Sequence, residues 1–352
     1  MTLSEENLSN TILEKSENQP APADSRLSSH TLSNWIAVYG LLIVFLLVMT
    51  IFGALRPSSF LSVTNINSIL VSQSVTAMLA LAEMIPLATK QFDLSVGYHL
   101  GMAQVLIIGL QVQQGLGWVE TAALILVLSL VVGFVNGALV TRFKIDSFIA
   151  TMGTGTMLYG LSNWYSNGEQ IVGMSLPRSF TDLSSIYHGL PLPALYVGLI
   201  SIVLWCVMER LPIGRNLYVI GANVRAAELT GINVSRHVMG AFIASGFISG
   251  LAGIVLGSLL QTGTPSVGPE YLLPAFAATL LGATSIRPGR VNVIGTLISV
   301  LVLAFSFSGV QQLGAPFYVQ YFFNGGILIV AVGLSVYAAR RRQRAATSAK
   351  HD

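Results

Sequence analysis

Eight stretches of this chain are apolar over the length of a bilayer-spanning helix: residues near 35–55, 68–88, 96–113, 119–141, 191–209, 237–259, 292–312 and 318–338. Lipid offers a backbone no hydrogen-bond partners, so a run of about 20 apolar residues has one stable form there, the helix. Two weaker runs join them. Residues 147–165, SFIATMGTGTMLYGLSNWY, carry Gly and Thr, and residues 271–286, YLLPAFAATLLGATSI, are short and contain Pro274. Both suit helices inside a bundle, where small residues permit close approach and neighbours satisfy the backbone freed by proline. The expected fold is an all-α membrane protein with ten transmembrane helices.

Charge supports that count. Only 9% of the 352 residues are charged, against about 25% in an ordinary soluble domain. With the N-terminus in the cytoplasm, ten helices place sixteen of the eighteen Lys and Arg inside, leaving only Arg56 and Arg178 outside. Omitting one weak helix scrambles this split, so both termini are expected to be cytoplasmic. A net charge of +3 distributed this way suits anionic lipid and not nucleic acid, which wants the cations on one face.

The expected organisation has three parts. Residues 1–34 form a disordered cytoplasmic tail, since the first thirty are polar and interrupted by Pro20 and Pro22. Residues 35–339 form the transmembrane domain, and 340–352 a basic cytoplasmic tail. Two extramembrane segments exceed a turn: 166–190 outside and 211–236 inside. No phosphate-binding loop, HExxH or paired Cys/His spacing occurs, and Cys206, the single cysteine, reads as a packing residue. ATP-driven transport would therefore need its ATPase, with ATP and Mg, on another polypeptide.

Within 211–236, Asn223 can cap a helix, Val224 to Thr230 supply two turns, and Gly231 can stop them in the left-handed region. Ala226 and Ala227 give a shallow surface flanked by Arg225 and Glu228. Two readings fit: a short docking helix that enters a partner's groove, or a surface loop with an incidental turn.

Here the sequence resembles a known family. VIGANVRAAELTGINVSR resembles the cytoplasmic coupling segment of ABC-importer permeases of the ribose/monosaccharide type, which are grouped with autoinducer-2 and branched-chain amino acid permeases. QFDLSVG at 91–97, FIATMGTGTMLYGLSNWYSNGEQI at 148–171 and GATSIRPGRVNVIGTLI at 282–298 resemble further family stretches in the same order. The sequence departs at Lys90 and Gln91, where the family's turn has two glycines, and at Pro288 in its second glycine-rich turn. Lys90 could pair with Asp93, and Asp93 itself reads as a cap for the helix that follows.

The resemblance implies a type II ABC-importer-like permease subunit of the bacterial inner membrane, itself not an enzyme. It would work with a second copy or a paralogous permease, a cytoplasmic ATPase, and a periplasmic or lipid-anchored substrate-binding protein that delivers a monosaccharide or small polyol. The alternatives are another small polar solute (amino acid, nucleoside, autoinducer-2), an ion-coupled secondary transporter, or a membrane enzyme. The last two want more intramembrane ionisable groups than this chain offers. Glu83 is the clearest such group, either a proton relay or a hydrogen-bonded helix contact. His99 reads as interfacial, His237 as lacking a partner, and Glu209 as an unremarkable helix end.

Neutral polar residues suit a sugar path, since hydroxyls want hydrogen bonds without ionic trapping. Gln73, Gln104, Asn136, Asn163, Gln261, Gln311, Gln312 and Asn324 are the candidates, with Trp164 and Tyr165 as aromatic faces near the outer mouth. Each could equally be interhelical glue.

Overall fold

The chain carries few groups that could hold it together other than apolar area and close helix contact, and its architecture follows from that. The computed structural model describes the backbone of residues 25–326 and 329, with side chains from Val38 onward. Residues 1–24, the 340–352 segment and most of 327–338 lie outside the described residues. The chain from Val38 onward forms one unit.

Eleven longer elements organise it: α1 (Ser25–Leu55), α2 (Val63–Leu87), α3 (Ser95–Gln114), α4 (Trp118–Thr141), α5 (Ser147–Ser166), α6 (Leu192–Trp205), α7 (Pro212–Ala222), α8 (Val224–Leu229), α9 (Val234–Leu260), α10 (Leu272–Gly282) and α11 (Val293–Gln312). A π-helical turn, Cys206–Arg210, extends α6, and a further helix starts at 319. Seven helices among the described residues are long and apolar enough to cross a membrane: Val38–Leu55 of α1, then α2, α3, α4, α6 with its π turn, α9 and α11.

Helix α4 shows how the sequence assigns faces. Ile125, Ser129, Gly133, Asn136 and Gly137 are buried, a stripe at helical spacing. Val127, Val131, Phe134 and Val135 on the other face are exposed and apolar, as contact with hydrocarbon requires. The stripe is small because α9 lies against it. A Cβ at Gly133 would fall 2.5 Å from the Phe242 carbonyl oxygen, so only hydrogen fits there. Helix α9 also packs on α3 and α2 and forms the centre of the bundle.

Three expectations are corrected. The 1–34 tail boundary is too late, because helical backbone reaches back to Ser25; no proline lies between Pro22 and Pro57, and extending an existing helix adds a hydrogen bond per residue. The 166–190 segment, expected to be an external loop, is not bare loop. Ile171–Val172 (β1) pairs antiparallel with Thr262–Gly263 (β4), and Ile186–Tyr187 (β2) pairs with Leu190–Pro191 (β3), which satisfies backbone groups in an otherwise all-α chain. Cys206 is exposed and not packed.

The chain does not leave the bundle after α9. From β4 it runs back along α3, and Gly268 seats so closely that a Cβ there would lie 2.4 Å from the Gly97 oxygen. Only then does α10 begin, and its 11 residues span roughly 16 Å, about half the hydrocarbon thickness.

Candidate functional site

The polar 211–236 segment folds as two helices. Pro212 starts α7, whose buried stripe is Gly214, Leu217, Ile220 and Gly221. The helix stops where Asn223 turns to φ −158°, and the Asn223 side chain accepts a hydrogen bond from the Ala226 N–H at 3.0 Å, capping α8. Gly231 at φ +82° ends the turn, its N–H donating to the Glu228 carbonyl at 3.0 Å. Arg225 and Glu228 form an exposed ion pair at 3.3 Å, a geometry that contributes little stability.

Ala227 does not belong to an outward surface. It is fully buried, packed with Ile220, Val238 and Phe242. The outward face of α8 is Arg225, Ala226, Glu228 and Leu229, with Leu229 75% exposed.

Behind these helices stands a charged cluster that sequence reasoning missed. Glu209, nearly buried, accepts from Arg287 and, at 3.2 Å, from Arg290. The Arg290 guanidinium lies 3.5 Å from the centre of the Tyr218 ring, and the Tyr218 hydroxyl donates to the Val291 carbonyl at 3.0 Å. Burial raises the Tyr218 phenol above its ordinary pKa, so a neutral ring faces the cation. The cluster ties the end of α6 and the middle of α7 to the 283–292 turn beside α10. A lone Glu at a helix end carries no signal for this, because its partners lie about 80 residues away.

At the start of α3 the cap position is Leu94, not the expected Asp93, which stands one residue earlier and has no ion pair with Lys90. Its carboxylate accepts from the Ser95 N–H at 3.2 Å, the Ser95 hydroxyl at 2.5 Å and the Ser245 hydroxyl at 2.8 Å, all buried. Lys90 is exposed at φ +60°, a conformation that glycine adopts without strain. Glu83 is buried and accepts from the Asp93 N–H at 3.3 Å, so its contact is with this turn; its other oxygen has no partner among the described residues. His99 is buried beside α9, not interfacial. His237 bonds to Asn216 and the Asn233 carbonyl, with no nucleophile among its partners.

The expected pathway residues separate into groups. Gln104 is fully buried; its amide donates to the Thr262 carbonyl and its oxygen accepts from the Thr264 N–H at 3.0 Å. Asn136 is also fully buried, donating to the Ser95 hydroxyl at 2.7 Å and accepting from Thr154 at 2.6 Å. Asn163 bonds back to its own helix at Tyr159, Gln261 forms the left-handed end of α9, and Trp164 is 74% exposed. Gln312 bonds to Ser59 at 2.8 Å. None of these lines the central cavity.

Gln73 and Asn324 do line it. Together with Thr76, Glu270, Tyr271 and Gln320 they surround a cavity of about 350 Å³, within the range of small-ligand sites. Its apolar side comes from Val300, Leu303 and Phe307 of α11. Thr76 and Leu303 are near the midpoints of α2 and α11, so the cavity lies half-way along two spanning helices. Gln73, Glu270, Gln320 and Asn324 have no side-chain hydrogen bond to any described residue.

Residues 65–332 match the family described as the permease component of the branched-chain amino acid transport system. The chain belongs to this permease family. The permease is 34% identical to the ribose import permease of Bacillus subtilis, over 82% of this chain and 89% of the relative. It is 30% identical to the D-allose transport system permease of Escherichia coli, over 84% and 90% of the two chains. The xylose transport system permease of Haemophilus influenzae is 27% identical, over 84% and 95%. No solved structure matches. The permease is a multi-pass membrane protein and a transport component, not an enzyme.

Proposed function

We propose that this permease is the membrane subunit of an ATP-binding-cassette importer and passes a monosaccharide or small polyol, handed over by a substrate-binding protein, across the bacterial inner membrane. The observation that carries the reading is the mid-helix cavity with uncommitted amides and a carboxylate and, among the described residues lining it, no Lys, Arg or His. A zwitterionic amino acid wants a cation for its carboxylate, whereas a neutral polyol wants amides and acceptors. The names of the relatives, which include ribose, allose and xylose permeases, point the same way.

The chain spans the membrane ten times in this reading, with α5, α10 and the helix from 319 completing the seven apolar spans and both termini in the cytoplasm. The 35–339 region is the permeation domain. Asn223, Arg225, Ala226, Glu228 and Gly231 build the coupling helix on which a cytoplasmic ATPase docks, with exposed Leu229 at its last position and Ala227 as the buried anchor. Two copies, or this chain and a paralogue, form the pathway. ATP and Mg belong to the ATPase.

Reconstitution with a partner ATPase and binding protein tests it. Vesicles should take up labelled D-ribose, D-xylose or D-galactose only when ATP and the binding protein are both present. Uptake driven by an ion gradient without ATP would replace this reading with a secondary transporter.

A further inference from the structure

Glu270 was not visible as a functional residue in the sequence, where it stands just before a short apolar run. The structure brings it to the cavity. The segment after β4 turns back into the bundle, Gly268 rests on Gly97 and Gly101, and Glu270 therefore arrives between the half-lengths of α2 and α11, at the head of the half-length helix α10. Glu270 is exposed, lines the cavity and has no hydrogen bond or ion pair to any described residue. Three uncommitted amides, Gln73, Gln320 and Asn324, share the cavity with it, opposite the apolar side chains of α11. An exposed ionisable group that lines a cavity, without a partner among the described residues, is positioned to meet what enters it.

We propose that Glu270 orients the solute in the pathway, its two carboxylate oxygens accepting hydrogen bonds from adjacent hydroxyls of a neutral polyol. A carboxylate is acceptor-only and can receive two parallel donors, which vicinal hydroxyls supply. The amides, each with donors and an acceptor, serve the remaining hydroxyls in either direction, and the apolar side chains meet the C–H face. A single charge among neutral partners gives orientation without the tight ion pair that would hold the solute in place. The same charge disfavours anionic solutes such as sugar phosphates and sugar acids.

This inference rests on the importer reading, and the experiment separates the two. The complete transporter, with ATPase and binding protein, is reconstituted as wild type, Glu270→Gln and Glu270→Asp, with labelled D-ribose, D-xylose and D-galactose as the probes. The Gln variant should lose uptake by roughly tenfold or more, the scale of a charge-assisted hydrogen bond, while the loaded binding protein still stimulates ATP hydrolysis within about twofold of wild type. Glu270→Asp should recover part of the uptake. Wild-type uptake by the Gln variant overturns the proposal. Loss of the assembled complex in both variants also overturns it, by making Glu270 a packing residue. If wild-type vesicles take up none of the three sugars, the importer reading and this proposal fall together, before any variant is compared.

Discussion

Gln104 and Gln73 are the same residue on adjacent spanning helices, and they do opposite things. Gln104 is fully buried and commits both ends of its amide to the backbone at Thr262 and Thr264, holding the returning strand against α3. Gln73 faces the mid-helix cavity with neither end committed. The composition of a transmembrane segment cannot distinguish these roles, because an amide is equally good glue and equally good pathway. What distinguishes them is where the hydrogen bonds go. Committed groups hold the bundle together, and open ones are available to a solute.

The largest effect should come from the two faces of α8, where the same division applies. Ala227 is committed, buried among Ile220, Val238 and Phe242. Ala227→Asp places an unpaired carboxylate there, at a cost of several kcal/mol, roughly 3–5. Folded permease should largely disappear from membranes, as read by size-exclusion chromatography of a fluorescent fusion. Leu229 is open, and Leu229→Asp should leave that abundance unchanged while recovery of the ATPase on affinity-purified permease falls about tenfold or more. Normal abundance for Ala227→Asp would return that residue to the docking face.

Next is the glutamine pair itself. Gln104→Leu strips partners from a carbonyl and an N–H in a partly buried strand, about 1–3 kcal/mol for each, so thermal stability in detergent should drop. Gln73→Leu should keep wild-type stability and lose solute uptake by roughly threefold to tenfold. An exchange of these phenotypes would break the distinction between committed and open amides.

How much of this was legible beforehand follows from the same physics. Helices α2, α3, α4, α9 and α11 are readable within a few residues because apolar length is a strong signal. The Asn223 cap and the Gly231 stop are readable because each is a local hydrogen bond or a local dihedral. The burial of Ala227 is not, since a six-residue helix shows its orientation only through what packs on it. Helix α7 hides in a polar loop because its apolar stripe is only a few residues. Glu270 and the Glu209 cluster depend on chain segments meeting from far apart in sequence. Gln73 and Asn324 were named, but alongside eight other residues that do not line the cavity.

A smaller effect is expected at Glu209. Glu209→Gln removes the charge that Arg287 and Arg290 share, yet both guanidinium groups keep access to water, and Arg290 keeps its contact with Tyr218. ATP hydrolysis by the complex should continue while solute moved per ATP falls, by about twofold to threefold. Assembly should be intact, since the outward face of α8 is untouched. Unchanged stoichiometry would show that the cluster only braces the fold.

The smallest effect should be at Trp164, which tests whether exposure alone marks a pathway. It is 74% exposed near the end of α5, and no hydrogen bond to its ring nitrogen occurs among the described residues; Tyr165 beside it bonds to Gln114 at 2.7 Å. Openness here differs from openness at Gln73, because the ring lies at a helix end and not in the cavity. An amphipathic indole at that level suits the membrane–water interface, where tryptophan is enriched. Other side chains anchor the same helix end, so Trp164→Ala should change initial uptake by less than about twofold. A larger loss, with abundance held, would put an aromatic face back on the solute's route and extend the open set from the cavity to the outer mouth.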